Sequence, residues 1–281
     1  MRFLFSVLAS GSSGNAAVLA TSTTTVLIDA GIGPRVLAQR LGDLGLSIDQ
    51  LDAVLLTHLH HDHLRPPTLA LFLAEGVNVC CHENHVRPLA RRGGEARKLA
   101  EAGVLWGFRE APFRVGDVEV LPLALPHDDE GGSFGFIFSV ANGSRPYRLG
   151  HLTDLGHLPS RHLEPLLDLD VLALEHNHDL QLLADSDRPE TLKARVRGGL
   201  GHLSNCQAAC VLWRLLEHSA APPRHLLLMH LSRECNRPEL PLQKSAEVLA
   251  AFGADTQVHL THQDHSADTI ILNNGSTSPK A

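Results

Sequence analysis

Residues 55–64, LLTHLHHDHL, place His58, His60, His61, Asp62 and His63 within six consecutive positions directly after an apolar run. In an extended segment side chains alternate between faces, so His58 and His60 point the same way and can grip one ion, while His61 points away. If the chain turns after His60, Asp62 and His63 reach the far side of that site and can serve a second ion. Imidazole with carboxylate is the donor set of Zn2+, or of Mn2+ or Fe where oxygen donors are more numerous. One segment cannot complete the coordination of an ion, so the fold has to bring further donors to the same place.

The later sequence supplies them. His127 in LALPHDD, Asp154 in HLTDLG and His230 in LLLMHLS each follow an apolar run, so each can sit at the rim of one sheet edge. Histidine is abundant here, 19 in all, and His127 or His230 alone could be a buried packing residue. As a set in this order they favour a metal site.

Strand-like runs at 3–9, 16–20, 24–31, 52–58, 77–82, 118–127, 134–140, 147–152, 170–176, 225–231, 256–262 and 268–272 are separated by turn residues and helix-patterned segments. The helical candidates are 34–45, 66–75, 86–102, 189–198, 204–219 and 239–252, with Pro34 suited to a first helical position and Ser204 to an N-cap. Neither a low-complexity linker nor a repeat divides the chain. The expected architecture is one α/β (α+β) domain over 1–272, its sheets sandwiched between helices, with 273–281 as a loose tail.

Hydrophobic residues at 43% and charged residues at 20% suit a folded globular chain. Its net charge of -7 provides no global field for nucleic acid. Any such binding must use a local patch, for which the basic runs 87–98 and 188–197 are candidates. Each alone also reads as a solvated helix face. Five cysteines without a CxxC pair fit a reducing compartment, with the cytoplasm as the expected location. The start, MRFLFSVLASGSSGNA, has features of a signal peptide, but its short apolar run reads better as a first strand followed by a Ser/Gly turn. No apolar stretch approaches the roughly 18 residues of a membrane span.

The ordered set of donors resembles the metallo-β-lactamase superfamily, which implies a four-layer αββα sandwich holding one or two metals at its edge. On that resemblance His58, His60 and His127 match the first metal's ligands. Asp62, His63 and His230 match the second's, Asp154 the bridging carboxylate, and Asp29 in VLIDAG the structural support of the histidine loop. His at position 60, where flavodiiron reductases carry Glu, and Asp at 154, where zinc β-lactamases carry Cys, favour the dinuclear hydrolases. GHLSNCQAA (201–209) and HLLLMHLSREC (225–235) are similar to the ribonuclease Z pattern. Together with LASGSSGN (8–15), TDLG (153–156), EHNHD (175–179) and LKARV (192–196), they look most like the bacterial WalJ/YycJ branch, associated with DNA exonuclease activity. His61, His176 and Cys235 depart from the expected pattern.

The resemblance implies a phosphodiesterase or nuclease using a metal-bridging hydroxide, with two divalent ions, Zn2+ or Mn2+ and possible Fe, and a nucleic acid substrate, DNA favoured over RNA. Asp62 would orient the nucleophile, and His202, with His178 as substitute, would protonate the leaving group. Free N–H groups at the helix start after Ser204 could receive a phosphate. Ser13, Asn15, Asn177, Ser204 and Asn205 are candidate substrate contacts, although 12–15 also reads as a plain turn. Two other readings stand beside this one. A small-molecule hydrolase (lactonase, thioesterase or cyclic phosphodiesterase) could use the same ions, and a non-catalytic metal protein would cap them fully. The acidic balance and HDDEGG (127–132) favour the former, and the location of the two basic runs discriminates between polymer and small substrate.

Overall fold

The structure, a computed structural model, describes residues 2–273. In chain order it runs β1 (Arg2–Ala9), β2 (Ala16–Ala20), β3 (Thr25–Ile28), α1 (Pro34–Gly42), β4 (Ala53–Leu55), α2 (Pro66–Glu75), β5 (Val79–His82), α3 (Glu83–Arg91), α4 (Gly94–Glu101), β6 (Leu105–Phe108), β7 (Phe113–Val115), β8 (Val118–Leu125) and β9 (Ser133–Val140). There follow β10 (Tyr147–Leu152), β11 (Val171–Glu175), α5 (Leu180–Asp185), α6 (Glu190–Arg197), α7 (Asn205–His218), β12 (His225–Met229), α8 (Glu239–Ala251), β13 (Gln257–Leu260) and β14 (Ile270–Asn273). Two seven-stranded sheets result, ordered β14-β1-β2-β3-β4-β5-β6 and β13-β12-β11-β10-β9-β8-β7.

Period-two alternation explains the layers. Phe3, Phe5 and Val7 of β1 meet Phe134, Phe136 and Phe138 of β9 in the core between the sheets. Leu4 and Leu8 of β1 pack on the opposite face with Leu37 and Leu41 of α1, Phe72 of α2 and Leu99 of α4. On the outside of the second sheet, Leu172 and Leu174 of β11 and Leu226 and Leu228 of β12 meet Leu212 and Leu215 of α7 and Val248 and Leu249 of α8. Strands covered on both faces read as continuous apolar runs rather than alternating ones. The arrangement is the expected αββα sandwich.

β1 pairs with both β2 and β14, so the apolar N-terminal run is an inner strand of its sheet. The helix expected over 86–102 is instead α3 and α4. Gly93 and Gly94, at φ 72° and 54°, interrupt it with a left-handed turn that glycine adopts freely. β6, β7 and the six-residue α5 also lie outside the sequence reading. The tail expected from 273 onward falls, apart from Asn273, outside the described residues. No helix among the described residues is long and apolar enough to cross a membrane.

Strand direction positions the site. β10, β11 and β12 are parallel. β8 is antiparallel to β9, which is antiparallel to β10, so β8 runs with them. Chain segments leaving β8, β10, β11 and β12 therefore emerge at one edge of the sheet. In the other sheet β3 and β4 are parallel and lead into Asp29 and the His58 segment. Loops at strand carboxyl ends are where α/β sheets gather their ligands.

Candidate metal centre

The histidines at this edge are held by one ring nitrogen and present the other to a common space. His63 Nδ1 is 2.7 Å from Asp29 Oδ2. His58 Nδ1 is 3.0 Å from Thr57 Oγ1, whose hydroxyl in turn bonds the Asp29 carboxylate. His127 Nδ1 donates to the Gly201 carbonyl at 2.9 Å, and His230 Nδ1 lies 3.0 Å from Glu175 Oε1. Such anchoring fixes the ring and leaves its other nitrogen available as a metal donor.

Those other nitrogens converge. Ligand atoms of His58, His60 and His127 lie within 4.8 Å of one another, as do those of Asp62, His63 and His230, and those of His58, His63 and Asp154. A fourth group of the same compactness joins Asp154 and His230 to His202 and Glu175. Asp154 is common to two of these groups, with Oδ2 3.1 Å from His63 Nε2 and Oδ1 3.9 Å from His127 Nε2. All seven residues expected as ligands are thus brought together. Three of the four non-glycine residues at positive φ among the described residues, Asp29 (61°), Asp154 (58°) and His230 (56°), belong to this cluster. Left-handed backbone is uncommon outside glycine, and such conformations concentrate at functional sites.

The electrostatics describe a site built for positive charge. Burial alone would depress His63 and His230. The carboxylates of Asp29 and Asp154 instead hold His63 well above its ordinary range, and Asp154, Asp62 and Glu175 push His230 up to about 10. Although burial opposes it, Asp62 is drawn down to about 2 by His230 and His63. His58 is pushed well below its ordinary range by burial and by its histidine neighbours. His58 Nε2 and His60 Nδ1 face each other at 3.0 Å. His230 Nε2 is buried without a hydrogen bond, and Asp154 Oδ2 has an ion-pair contact with His63 but no well-formed hydrogen bond. Buried donor atoms left unpaired around a cluster of imidazoles and carboxylates fit divalent metal ions.

His202 stands against this cluster, with Nδ1 2.8 Å from Glu175 Oε1 and 3.5 Å from Asp154 Oδ1. Glu175 was not among the expected site residues. It is fully buried at the end of β11, and its second oxygen accepts from the backbone N–H groups of Leu155 and Leu203. An acid closing an otherwise apolar strand was the available signal. His178 lies outside the four donor groups; its ring is buried with both nitrogens unpartnered.

The candidate substrate contacts have internal partners. Asn15 Nδ2 reaches Asp62 Oδ2 at 3.3 Å and His63 Nε2 at 2.9 Å. Ser13 is exposed, its N–H donating to Gln263 Oε1 and its carbonyl accepting from Arg65. Asn177 Nδ2 bonds the His230 carbonyl and lies 3.1 Å from His230 Nδ1. Ser204 caps α7 in a reciprocal box with Gln207. Asn205 exchanges amide hydrogen bonds with Asn236. His61 points into solvent, 89% exposed. His176 is buried against the Leu174 carbonyl and Ser245 Oγ.

Both basic runs reach this edge. Arg91 and Arg92 line a cavity of about 280 Å³ with Leu59 and Asp129, and Arg87 and Arg91 a second of about 610 Å³. Leu59 sits between His58 and His60, and Asp129 Oδ2 is 3.9 Å from His60 Nε2. From the other run, Arg195 bonds Asp128, next to His127.

Comparison with known proteins agrees with this geometry. Residues 24–231 match the family described as the Beta-lactamase superfamily domain. Over 273 residues the chain is 29% identical to Exodeoxyribonuclease WalJ of Streptococcus pneumoniae, covering 95% of this chain and 96% of that one. Exodeoxyribonuclease YycJ of Bacillus anthracis is 27% identical over 275 residues, 95% of this chain and 97% of that one. The metallo-β-lactamase fold protein YhfI of Bacillus subtilis superposes with a TM-score of 0.68 at 16% identity, over 96% of this chain and 100% of the other. The chain therefore belongs to the β-lactamase superfamily and has the metallo-β-lactamase fold.

Proposed function

We propose that this protein is a dinuclear metal-dependent phosphodiesterase that degrades DNA as an exonuclease. The observation that carries this reading is the placement of Arg87, Arg91 and Arg92. Arg91 and Arg92 line a cavity that reaches Leu59 in the His58 loop, Arg87 lines the adjoining cavity with Arg91, and none of the three has a carboxylate within ion-pair distance among the described residues. Unneutralised arginines beside a metal centre suit a phosphate backbone. Two relatives named as exodeoxyribonucleases, matched over nearly their whole length, support the same substrate. The free thiols support a cytoplasmic setting.

His58, His60 and His127 would hold one ion, Asp62, His63 and His230 the other, with Asp154 shared. Zn2+ or Mn2+ suits the donors, with Fe also compatible. Bound there, divalent ions polarise phosphoryl oxygens and bring the pKa of a water toward neutrality. The chain's own groups do the rest. Asp62 orients the attacking water. His202, its Nδ1 bonded to Glu175, keeps Nε2 free of protein partners and can give a proton to the leaving oxygen. Glu175 stabilises the charged imidazole and holds its orientation.

One observation favours a small-molecule ester or phosphodiester instead. Asp128 and Asp129 stand beside His127 and His60, and Glu130 lines the arginine cavities, which repels a polyanion locally. Incubating 5′-phosphorylated DNA with purified protein and Mn2+ or Zn2+, beside Asp154→Ala, separates the two. Cleavage lost together with metal in the variant supports the nuclease. A metal-loaded wild type that leaves DNA intact transfers the assignment to a small substrate.

A further inference from the structure

A cavity of about 400 Å³ opens between the start of α7 and the loop after Asp154, lined by His157, Leu158, Leu203 and Ser204 among others. Its volume is in the range that holds a small molecule. Three features point to what would fill it.

The first is His178. Its ring is 1% exposed and lines the cavity, yet neither nitrogen has a hydrogen-bond partner. A buried imidazole without partners costs stability unless a ligand or water supplies them. The second is the wall. Leu158, Leu203 and Val211 are buried apolar residues, and Leu180 at the mouth is 47% exposed. The third is charge. Arg197 and Arg214 line the cavity and no acidic residue does. Arg214 has no ion pair among the described residues, and Arg197 only a loose one, 3.9 Å from exposed Glu190. At the same place α7 begins. Ser204 Oγ takes the Gln207 N–H and the His178 carbonyl takes that of Asn205, leaving the Cys206 N–H without a partner among the described residues at the positive end of a 14-residue helix.

Apolar walls with one buried hydrogen-bonding ring suit a flat heteroaromatic base. Two arginines and a helix start suit its phosphate. We propose that this cavity is a nucleotide-binding subsite that takes one unpaired nucleotide of the substrate strand beside the scissile phosphate, an assignment that rests on the nuclease reading above. The base lies among Leu158, Leu180 and Val211 with His178 as its hydrogen-bond partner, and the phosphate faces Arg197, Arg214 and the Cys206 N–H. The cavity begins one residue from His202, so a nucleotide seated here holds the strand end next to the proton donor. Extruding a base costs least at a single-stranded end.

The test is titration of the Mn2+-loaded protein with 2′-deoxyadenosine 5′-monophosphate, deoxyadenosine and inorganic phosphate, read by calorimetry. Cys210 is exposed on α7 and lines the cavity. Cys210→Trp should fill it, raising Kd for the nucleotide at least tenfold while leaving inorganic phosphate, which the metals can hold, within twofold. Arg214→Ala should weaken the nucleotide about tenfold and deoxyadenosine within twofold. Unchanged thermal midpoints establish that both variants fold. Wild type that fails to bind the nucleotide, or Cys210→Trp that binds it unimpaired, overturns the subsite. DNA degradation is scored separately. Nucleotide binding lost in Cys210→Trp in a protein that degrades no DNA sinks the nuclease reading and leaves the cavity a nucleotide site. DNA degradation with nucleotide affinity indifferent to Cys210→Trp sinks the subsite alone.

Discussion

Glu175 Oε1 lies 2.8 Å from Nδ1 of His202, and the same oxygen lies 3.0 Å from Nδ1 of His230. One buried carboxylate therefore orients both a proposed ligand and the proposed proton donor. Burial opposes its ionisation, but the two histidines draw it down to about 2. Glu175→Gln keeps the shape and removes the charge. Metal affinity should fall about 10–100-fold, as for other groups that orient a ligand from behind, and kcat should fall in samples saturated with metal. Metal titration and turnover, measured separately, check the two effects. An unchanged kcat at saturation would remove Glu175 from the proton path.

Gly31 marks where two loops meet. A Cβ there would lie 1.7 Å from the Asp62 carbonyl oxygen and 2.6 Å from the Asn15 nitrogen, both backbone atoms. The chain passes so close because Asn15 N–H donates to Asp62 O and Gly31 N–H to Asn15 O. Gly31→Ala should cost about 1–3 kcal/mol of stability, in the range of overpacking, and weaken metal binding by displacing Asp62. Urea unfolding of the metal-free protein and a metal titration provide the two numbers.

The donors were legible because each is a chemically distinctive residue directly after an apolar run, and parallel strands deliver such positions to one edge. Glu175 was not, because it is the last residue of its strand and reads as the end of the run VLALE. Ser204 was legible as a cap for the same local reason that it is one: a hydroxyl with Gln three residues on. Contacts from a distance leave no local trace, so nothing in GHLSN foretold that Asn205 would be tied to Asn236. Three-residue β7 and half-exposed β6 are too short for periodicity to register, and they gain their conformation from pairing with β8 and β5.

Acid should destabilise the protein through buried histidines that are not among the proposed ligands. Burial pushes His151 and His176 down to about 4 from an ordinary 6.5. Below pH 6.5 the unfolded chain binds the extra protons, so this stability is complete above 6.5 and is lost as pH falls toward 4. Without metal the opposite limb appears too. His230, raised to about 10, contributes stability that is complete below 6.5 and is lost as pH climbs through 10. Unfolding midpoints against pH, with metal and with chelator, should differ mainly on the alkaline side. His176→Gln should flatten the acid limb.

Arg91 and Arg92 test the polymer substrate. Replacing both by Glu puts like charge against a DNA backbone in the cavity beside Leu59. Apparent KM for DNA should rise at least tenfold, and its salt dependence should become shallower as phosphate contacts are lost. Turnover of bis(p-nitrophenyl) phosphate reports on the metal centre alone. Loss on DNA with this small ester retained assigns the arginines to strand binding. Equal effects on both substrates would rule that role out.

His202 separates proton donation from metal binding. Its Nδ1 belongs to Glu175, and 20% of the side chain remains exposed at the edge of the cluster, so Nε2 can reach a leaving oxygen. A DNA alkoxide is a poor leaving group that needs a proton in the transition state, whereas p-nitrophenolate departs without one. General acid catalysis contributes about 10²–10⁴-fold. His202→Ala should lose that factor on DNA, keep most of its rate on the p-nitrophenyl ester, and retain its full complement of metal. Equal losses on the two substrates with metal intact would mean that His202 binds or positions the phosphate. Loss of metal would mean that the ring supports Asp154, 3.5 Å from its Nδ1.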